Sequence, residues 1–451
     1  MELIEVKKRK RNLKDFVDSK KMELLSLFVI ANLVYLFVGS YLFTMFKITH
    51  STFSLGLIPF FIVNIVVGVI ANIKGKYKIN RAHICGILII ILGGISTMFA
   101  VNRQVSLFGL PERNEGLFTI IYYFSFMYLS SFIDRDYKKK IILFMLILGI
   151  TQCIYAILQI YGNEYVQKIV NFYPLKEKNQ FHYELWATGF AGNPNFFGTQ
   201  MLIFLTYTIG LLIDETKKRY MALYGALCIL FMYGLFISNT MSCVLGLVVC
   251  FVFCLVYAIK NKMYIKILII AITLVIGAGL AVYTGRTTLI KDFTKTGSEV
   301  SSMTKGDMNN TYGTKRIYIW KETMKIVPKH LVHGAGIDNF YYAFDGTALK
   351  YTDNKVVYDK AHNEYLQILI CEGIICLIVY LVMYAIITFS GIKKSFKNKE
   401  ILFILPVIGY LVQAFFNISV IEAAPIFFMA LGFNIDMNKK EQKIINDKSS
   451  D

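Results

Sequence analysis

"TMSCVLGLVVCFVFCLVYAI", residues 240–259, runs its full length without a charged side chain, and its apolar residues follow one another instead of alternating. About 20 apolar residues in a helix, at ~1.5 Å each, match the ~30 Å hydrocarbon core of a bilayer. A strand of a membrane barrel would alternate and be about half as long. This stretch therefore reads as a membrane-spanning helix.

The rest of the 451-residue chain repeats the pattern: 56% of residues are hydrophobic and 17% charged, with mean hydropathy +0.53. An ordinary soluble domain is nearer a quarter charged. Similar runs lie near 22–46, 53–71, 83–101, 116–133, 140–161, 196–213, 220–238, 264–283, 364–389, 401–416 and 418–435. The expected fold class is an all-α polytopic membrane protein of about 12 transmembrane helices. The first run is as long as a full span and lacks a small-residue cleavage site, so it reads as a retained helix.

Basic residues set the expected orientation. "KKRKRNLKDFVDSKK", "NIKGKYKINR", "DRDYKKK", "DETKKR", "KNKMYIK", "GIKKSFKNKE" and "NKKEQK" occupy every second connection, as a cytoplasmic series does. Both termini then face the cytoplasm. More than half of the 48 lysines and arginines fall in these segments, so the net charge of +18 reads as topology signals and lipid-headgroup contacts. It calls for no nucleic-acid partner.

The resulting organisation is a basic cytoplasmic segment 1–21, helices 1–9 over 22–283, one large extracytoplasmic loop subdomain 284–363 between helices 9 and 10, helices 10–12 over 364–435, and a cytoplasmic tail 436–451. Connections that long are uncommon unless they carry function. All eight cysteines fall inside expected spans, without C-x-x-C spacing, so neither an outer disulfide framework nor a zinc site is expected.

Within the subdomain, "YGTKRIYIWKETMKIVP" (312–328) places Ile317, Trp320, Met324 and Val327 at helical spacing, with Pro328 as a stop. Arg316 and Trp320 share a face. They read either as a phosphate-binding guanidinium beside a sugar-stacking or lipid-interface indole, or as a surface Arg over a core Trp. His330 and His333 follow without a third metal ligand, and Gly334 and Gly336 suggest a turn.

"KAHNEYLQILICEGI" (360–374) brings His362 and Asn363 to the outer mouth of span 10. An imidazole with an ordinary pKa near ~6.5 can accept a proton from an attacking hydroxyl; the plainer reading is a helix cap or a headgroup contact. Glu372, about 15 Å further along a helix, is an intramembrane carboxylate that needs a partner. In "TGFAGNPNFFGTQM" (188–201), Asn193 and Asn195 flank Pro194. Their amides either bond substrate hydroxyls or phosphate oxygens, or simply start a helix with Asn195 as its cap.

Three of these stretches, "TGFAGNPNFFGTQM", "RIYIWKETMKIVPKHLVHGAGIDNFYYAF" and "AHNEYLQILICEGI", together resemble the O-antigen ligase and polymerase superfamily of bacterial envelope enzymes, most strongly over about 186–380. "PERNEGLF" (111–118) resembles its Arg-x-x-Gly element. The resemblance implies a metal-independent glycosyltransferase of the bacterial cytoplasmic membrane, with an extracytoplasmic active site and no cofactor. Its donor would be a glycan on a polyprenyl (undecaprenyl) diphosphate, and its acceptor a hydroxyl on a glycan or lipid-linked sugar. Carried over, His362 is the base, Arg316 the diphosphate ligand and Arg113 a second cation, with Asn363, Trp320 and Glu372 as motif residues. The chain departs from the family at Met241, where many members have a phosphate-binding Arg; Arg286 in "TGRTT", Arg113 or Arg103 would then have to supply the charge. Twelve helices also suit a transporter or flippase of lipid-linked glycans, or a peptidoglycan-type polymerase. Against a transporter stand the absence of repeated halves and the small number of intramembrane carboxylates.

Overall fold

The computed structural model describes residues 19–38, 50–111, 113–161, 187–307, 309–344, 349–350 and 357–437. Among them, nine helices are long and apolar enough to cross a membrane: α1 (Ser19–Val38), α2 (His50–Gly75), α3 (Arg81–Met98), α6 (Arg135–Tyr161), α7 (Pro194–Asp214), α8 (Lys218–Ile237), α9 (Met241–Lys260), α10 (Tyr264–Tyr283) and α14 (Ile374–Asn398). The chain is a multi-pass helical membrane protein. The remaining helices are α4 (Arg103–Phe108), α5 (Leu117–Ser130), α11 (Leu289–Thr304), α12 (Arg316–His330), α13 (Glu364–Glu372), α15 (Leu405–Ala414) and α16 (Ala424–Asn434).

Three stretches expected as full spans are shorter than that. Helices α5, α15 and α16 have 14, 10 and 11 residues. Every residue of α16 is buried, and irregular backbone at membrane depth is tolerated where protein surrounds it. Between α15 and α16, Asn417 donates to Gln413 Oε1 at 3.0 Å and accepts from the Ile418 amide at 3.0 Å, so the Asn417 side chain in the break is satisfied internally.

The expected span 10 is also interrupted. It breaks at Gly373, φ +88°, into α13 and α14. The helix expected over 312–328 begins instead at Arg316, because Gly313, Thr314 and Lys315 all have positive φ. It also runs two residues past Pro328, which has no N–H to give the Met324 carbonyl and so weakens the last turn without ending the helix there. Its buried face is Ile319, Thr323 and His330, with Met324 56% exposed, so the face is rotated from the expected stripe.

Helix α7 is the axis of the bundle, its spanning window fully buried, and it packs against α6, α8, α9 and α15. Helices α2 and α10 lie at the periphery, with 22% and 28% of their windows buried. An amide pair, Asn32 with Asn64 at 3.0 Å, joins α1 to α2, and Asn64 donates to Ser125 of α5 at 3.3 Å. Such bonds act as polar glue where lipid offers no hydrophobic driving force.

Described residues of segment 284–363 pack against α13. Ile319, Ala335, Phe340, Ala343, Tyr358 and Ala361 build a small apolar core together with Ile370 and Cys371 of α13. A two-residue antiparallel pairing, β1 (Leu349–Lys350) with β2 (Val357–Tyr358), leads the chain back towards α13.

Candidate functional site

The five residues 359–363 between β2 and α13 are anchored one by one. Asp359 accepts from Arg113 Nε at 2.7 Å. The Lys360 ammonium turns the other way, into the interior, and pairs with Asp338, whose second oxygen accepts from the Leu110 amide at 2.7 Å. Ala361 accepts from the Trp320 indole at 3.0 Å and donates to Gln367 Oε1 at 2.9 Å. Asn363 is the N-cap of α13, its side chain accepting from the Leu366 amide at 3.0 Å.

His362 is the exception. Its backbone is left-handed, φ +50°, and among the described residues no hydrogen bond engages its imidazole. The capping role that could have explained it belongs to Asn363. Burial holds the His362 imidazole at about 4, with the charges of Arg316, Arg113 and Lys360 acting in the same direction and Asp359 opposing them. The ring is therefore neutral across the physiological range.

Arg316 sits at the first position of α12. Its Nη1 donates to Thr314 Oγ1 at 2.6 Å and to the Gly313 carbonyl at 3.3 Å, while its buried Nε has no partner. Among the described residues it has no carboxylate partner, and burial lowers its pKa below the ordinary value for arginine. A guanidinium that is desolvated and uncompensated is poised for an anion. Arg113 is differently placed. Paired with Asp359 through Nε, it extends over the Phe196 ring at 5.9 Å, and among the described residues its terminal nitrogens have no hydrogen-bond partner. Burial would push the Asp359 carboxyl up, but the guanidinium outweighs it and leaves the group below the usual range.

The Gly334–Gly336 turn holds this arrangement against the membrane helices. Ala335 and Gly336 donate to the carbonyls of Ile370 and Cys371 at 2.8 and 3.0 Å, and Ile374 donates to Leu331 at 2.8 Å. These bonds satisfy backbone groups freed by the break at Gly373. Both glycines are required by contact: a Cβ on Gly334 would lie 2.2 Å from the Cys371 carbonyl oxygen, and one on Gly373 would lie 2.5 Å from that of Val332. Below the turn is a cavity of ≈ 50 Å³, large enough for a few waters, lined by Glu115, Asp338, Lys360, Glu364 and Glu372 among others. Glu372 thus ends α13 beside the cavity and accepts from the Cys376 thiol at 3.2 Å, instead of lying inside a continuous span.

The structure gathers Arg113, Arg316, His362, Asn363 and Trp320 into one group. Asn193 and Asn195 lie at the start of α7, whose Phe196 touches Arg113. The cap is Asn193, accepting from the Asn195 amide at 2.9 Å, and not Asn195 as the sequence suggested. Proline at the first helical position explains the shift, because the cap precedes it. Arg286 is not joined to the group: its guanidinium lies over the Tyr161 ring at 4.7 Å. Met241 accepts from Thr296 of α11 at 3.6 Å. His330 and His333 face separate carbonyls, of Ala343 and Gly334, at 3.0 and 2.7 Å.

Sequence reading missed Asp338, Asp359 and Lys360. The adjacent opposite charges of "DK" just before "AHN" were the available signal, and their opposite side-chain directions follow the alternation of extended backbone.

Residues 226–381, about a third of the chain, match the O-antigen ligase family, which places that part of the chain in the O-antigen ligase/polymerase superfamily. Arg316, Trp320, His362, Asn363 and Glu372 fall within the match, whereas Arg113, Asn193 and Asn195 precede it. No curated protein matches the chain.

Proposed function

Starting from an O-antigen ligase domain carried by a multi-pass membrane protein, we propose that the chain is a glycosyltransferase that moves a glycan from a polyprenyl diphosphate to an acceptor hydroxyl in surface polysaccharide biosynthesis. The observation that supports this most directly is a buried Arg316 guanidinium with an unpartnered Nε whose charge acts on a neutral His362 imidazole that bonds none of the described residues.

In the reaction, the acceptor oxygen attacks the anomeric carbon while the bond from that carbon to the diphosphate oxygen breaks. The electron pair leaves with the diphosphate, where Arg316 and the free nitrogens of Arg113 stabilise the developing charge. His362 takes the acceptor proton. The leaving group is already a diphosphate, so its departure needs charge neutralisation more than protonation, and two guanidinium forks provide that without a metal or other cofactor. Asn195, whose side chain bonds to none of the described residues, is placed near Arg113 through Phe196 and can orient a sugar hydroxyl or phosphate oxygen.

The site opens on the extracytoplasmic side in this reading, with both termini in the cytoplasm. Purified protein in lipid vesicles, given a polyprenyl diphosphate-linked oligosaccharide and a hydroxyl-bearing glycan acceptor, should release polyprenyl diphosphate and form a glycosidic product. Donor movement across the bilayer without product would overturn the assignment in favour of a flippase.

A further inference from the structure

Helix α11 has a surface that the proposed reaction does not use. It begins six residues after Tyr283, the last residue of the peripheral spanning helix α10, and Tyr283 itself is 89% exposed. Three of its apolar side chains, Ile290, Phe293 and Val300, are exposed by 56%, 37% and 53%. At 100° per residue they occupy one stripe less than a quarter-turn wide. Lys291 and Lys295 lie on the opposite side of the helix, while Leu289 and Glu299 are buried against the protein on a third face. The exposed face of α10, through Ile272, Val275, Leu280 and Val282, must meet lipid because α10 spans the membrane.

We propose that α11 lies in the plane of the bilayer surface, with Ile290, Phe293 and Val300 among the lipid chains and Lys291 and Lys295 turned to water. The occupant of the stripe is lipid because α11 follows the lipid-exposed end of the spanning helix α10 after only five residues, 284–288, a connection too short to carry it far from the interface. The polarity fits too: an interfacial helix carries apolar residues on one side and lysines on the other, and an exposed tyrosine at the end of a span belongs at headgroup level. A consequence reaches the site. Glu299 of α11 accepts from the Gly313 amide at 3.0 Å, in the left-handed turn that launches Arg316. A helix fixed at the membrane surface thereby fixes the height of Arg316, where the diphosphate of a membrane-embedded lipid would lie.

The test places a nitroxide label singly at residues 290, 293, 300, 291, 295 and 298 through cysteine substitution in the full chain. The eight native cysteines are all buried and leave the introduced one as the reactive thiol. In phosphatidylcholine/phosphatidylglycerol vesicles, collision with oxygen reports the lipid chains and collision with a water-soluble nickel chelate reports water. Labels at 290, 293 and 300 should favour oxygen by at least several-fold over labels at 291, 295 and 298. Equal nickel accessibility at all six sites would put the stripe in water and overturn the proposal. Shielding of 290, 293 and 300 from both reagents would also overturn it, by showing that protein, either another segment or a second copy, covers the stripe.

Discussion

Arg113 and Asp359, 246 residues apart in sequence, meet through a 2.7 Å contact that ties the connection before α5 to the strand leading into His362. The pair is partly exposed, with side-chain exposures of 24% and 30%. It therefore contributes little to stability, on the order of 1 kcal/mol or less. In the proposed reaction its importance is positional, since it holds a second guanidinium whose charge, like that of Arg316, acts on His362.

Asp359→Asn should accordingly leave thermal unfolding in detergent almost unchanged while lowering glycan transfer by about tenfold, the effect of a mispositioned charge. Arg113→Lys should behave alike, because it keeps the charge and loses the fork. Transfer at the wild-type rate in both variants would remove Arg113 from the site.

Arg316 separates stability from function in the opposite sense. Because its buried Nε is unpartnered and no carboxylate among the described residues balances it, Arg316→Ala should unfold at the same temperature as wild type or higher, yet fail to transfer glycan. Arg316→Lys should also fail. A destabilised Arg316→Ala with normal specific activity would mark the guanidinium as structural.

His362→Asn is the cleanest substitution at the imidazole. Asparagine adopts left-handed backbone readily, and the cap at Asn363 is untouched, so membrane abundance and donor binding should be normal. Transfer should drop by ~10²–10⁴-fold, the range for loss of a positioned base. A loss of only a few-fold would assign the proton to another group.

The pH profile follows from the depressed pKa. An imidazole held at about 4 stays neutral as pH falls through the usual histidine range, so the acid limb of kcat/KM should lie near 4 and not near ~6.5. Bound diphosphate adds negative charge and favours the imidazolium, so the limb in kcat should lie at higher pH than the limb in kcat/KM. Initial rates across a pH series check both; coincident limbs at ~6.5 would contradict the buried, cation-flanked environment.

Gly334→Ala should destabilise the protein by at least about 1–3 kcal/mol, the scale of overpacking, because its Cβ would strike the Cys371 carbonyl. Gly279→Ala meets nothing within 4 Å and serves as the control. Thermal unfolding of the two variants side by side distinguishes a required close approach from a general intolerance of alanine.

The sequence by itself determined the solvent and much of the secondary structure, because continuous apolar length is a local property that lipid enforces on each segment separately. It also placed the Arg316 helix and the His362–Asn363 step, which are local patterns. It could not show that span 10 breaks at Gly373, since that break is stabilised by amides of residues 335 and 336 and by the Leu331 carbonyl, all remote in sequence. Nor could it choose between Asn363 and His362 as the cap, or show that Arg113 joins Asp359 while Arg286 lies over Tyr161. Those outcomes depend on which buried charges find partners: Lys360 with Asp338 and Arg113 with Asp359 are neutralised pairs, and desolvation makes each such pairing a property of the assembled tertiary structure. Among the described residues the same packing leaves the Arg316 Nε and the His362 imidazole without hydrogen-bond partners, and the proposed site rests on that.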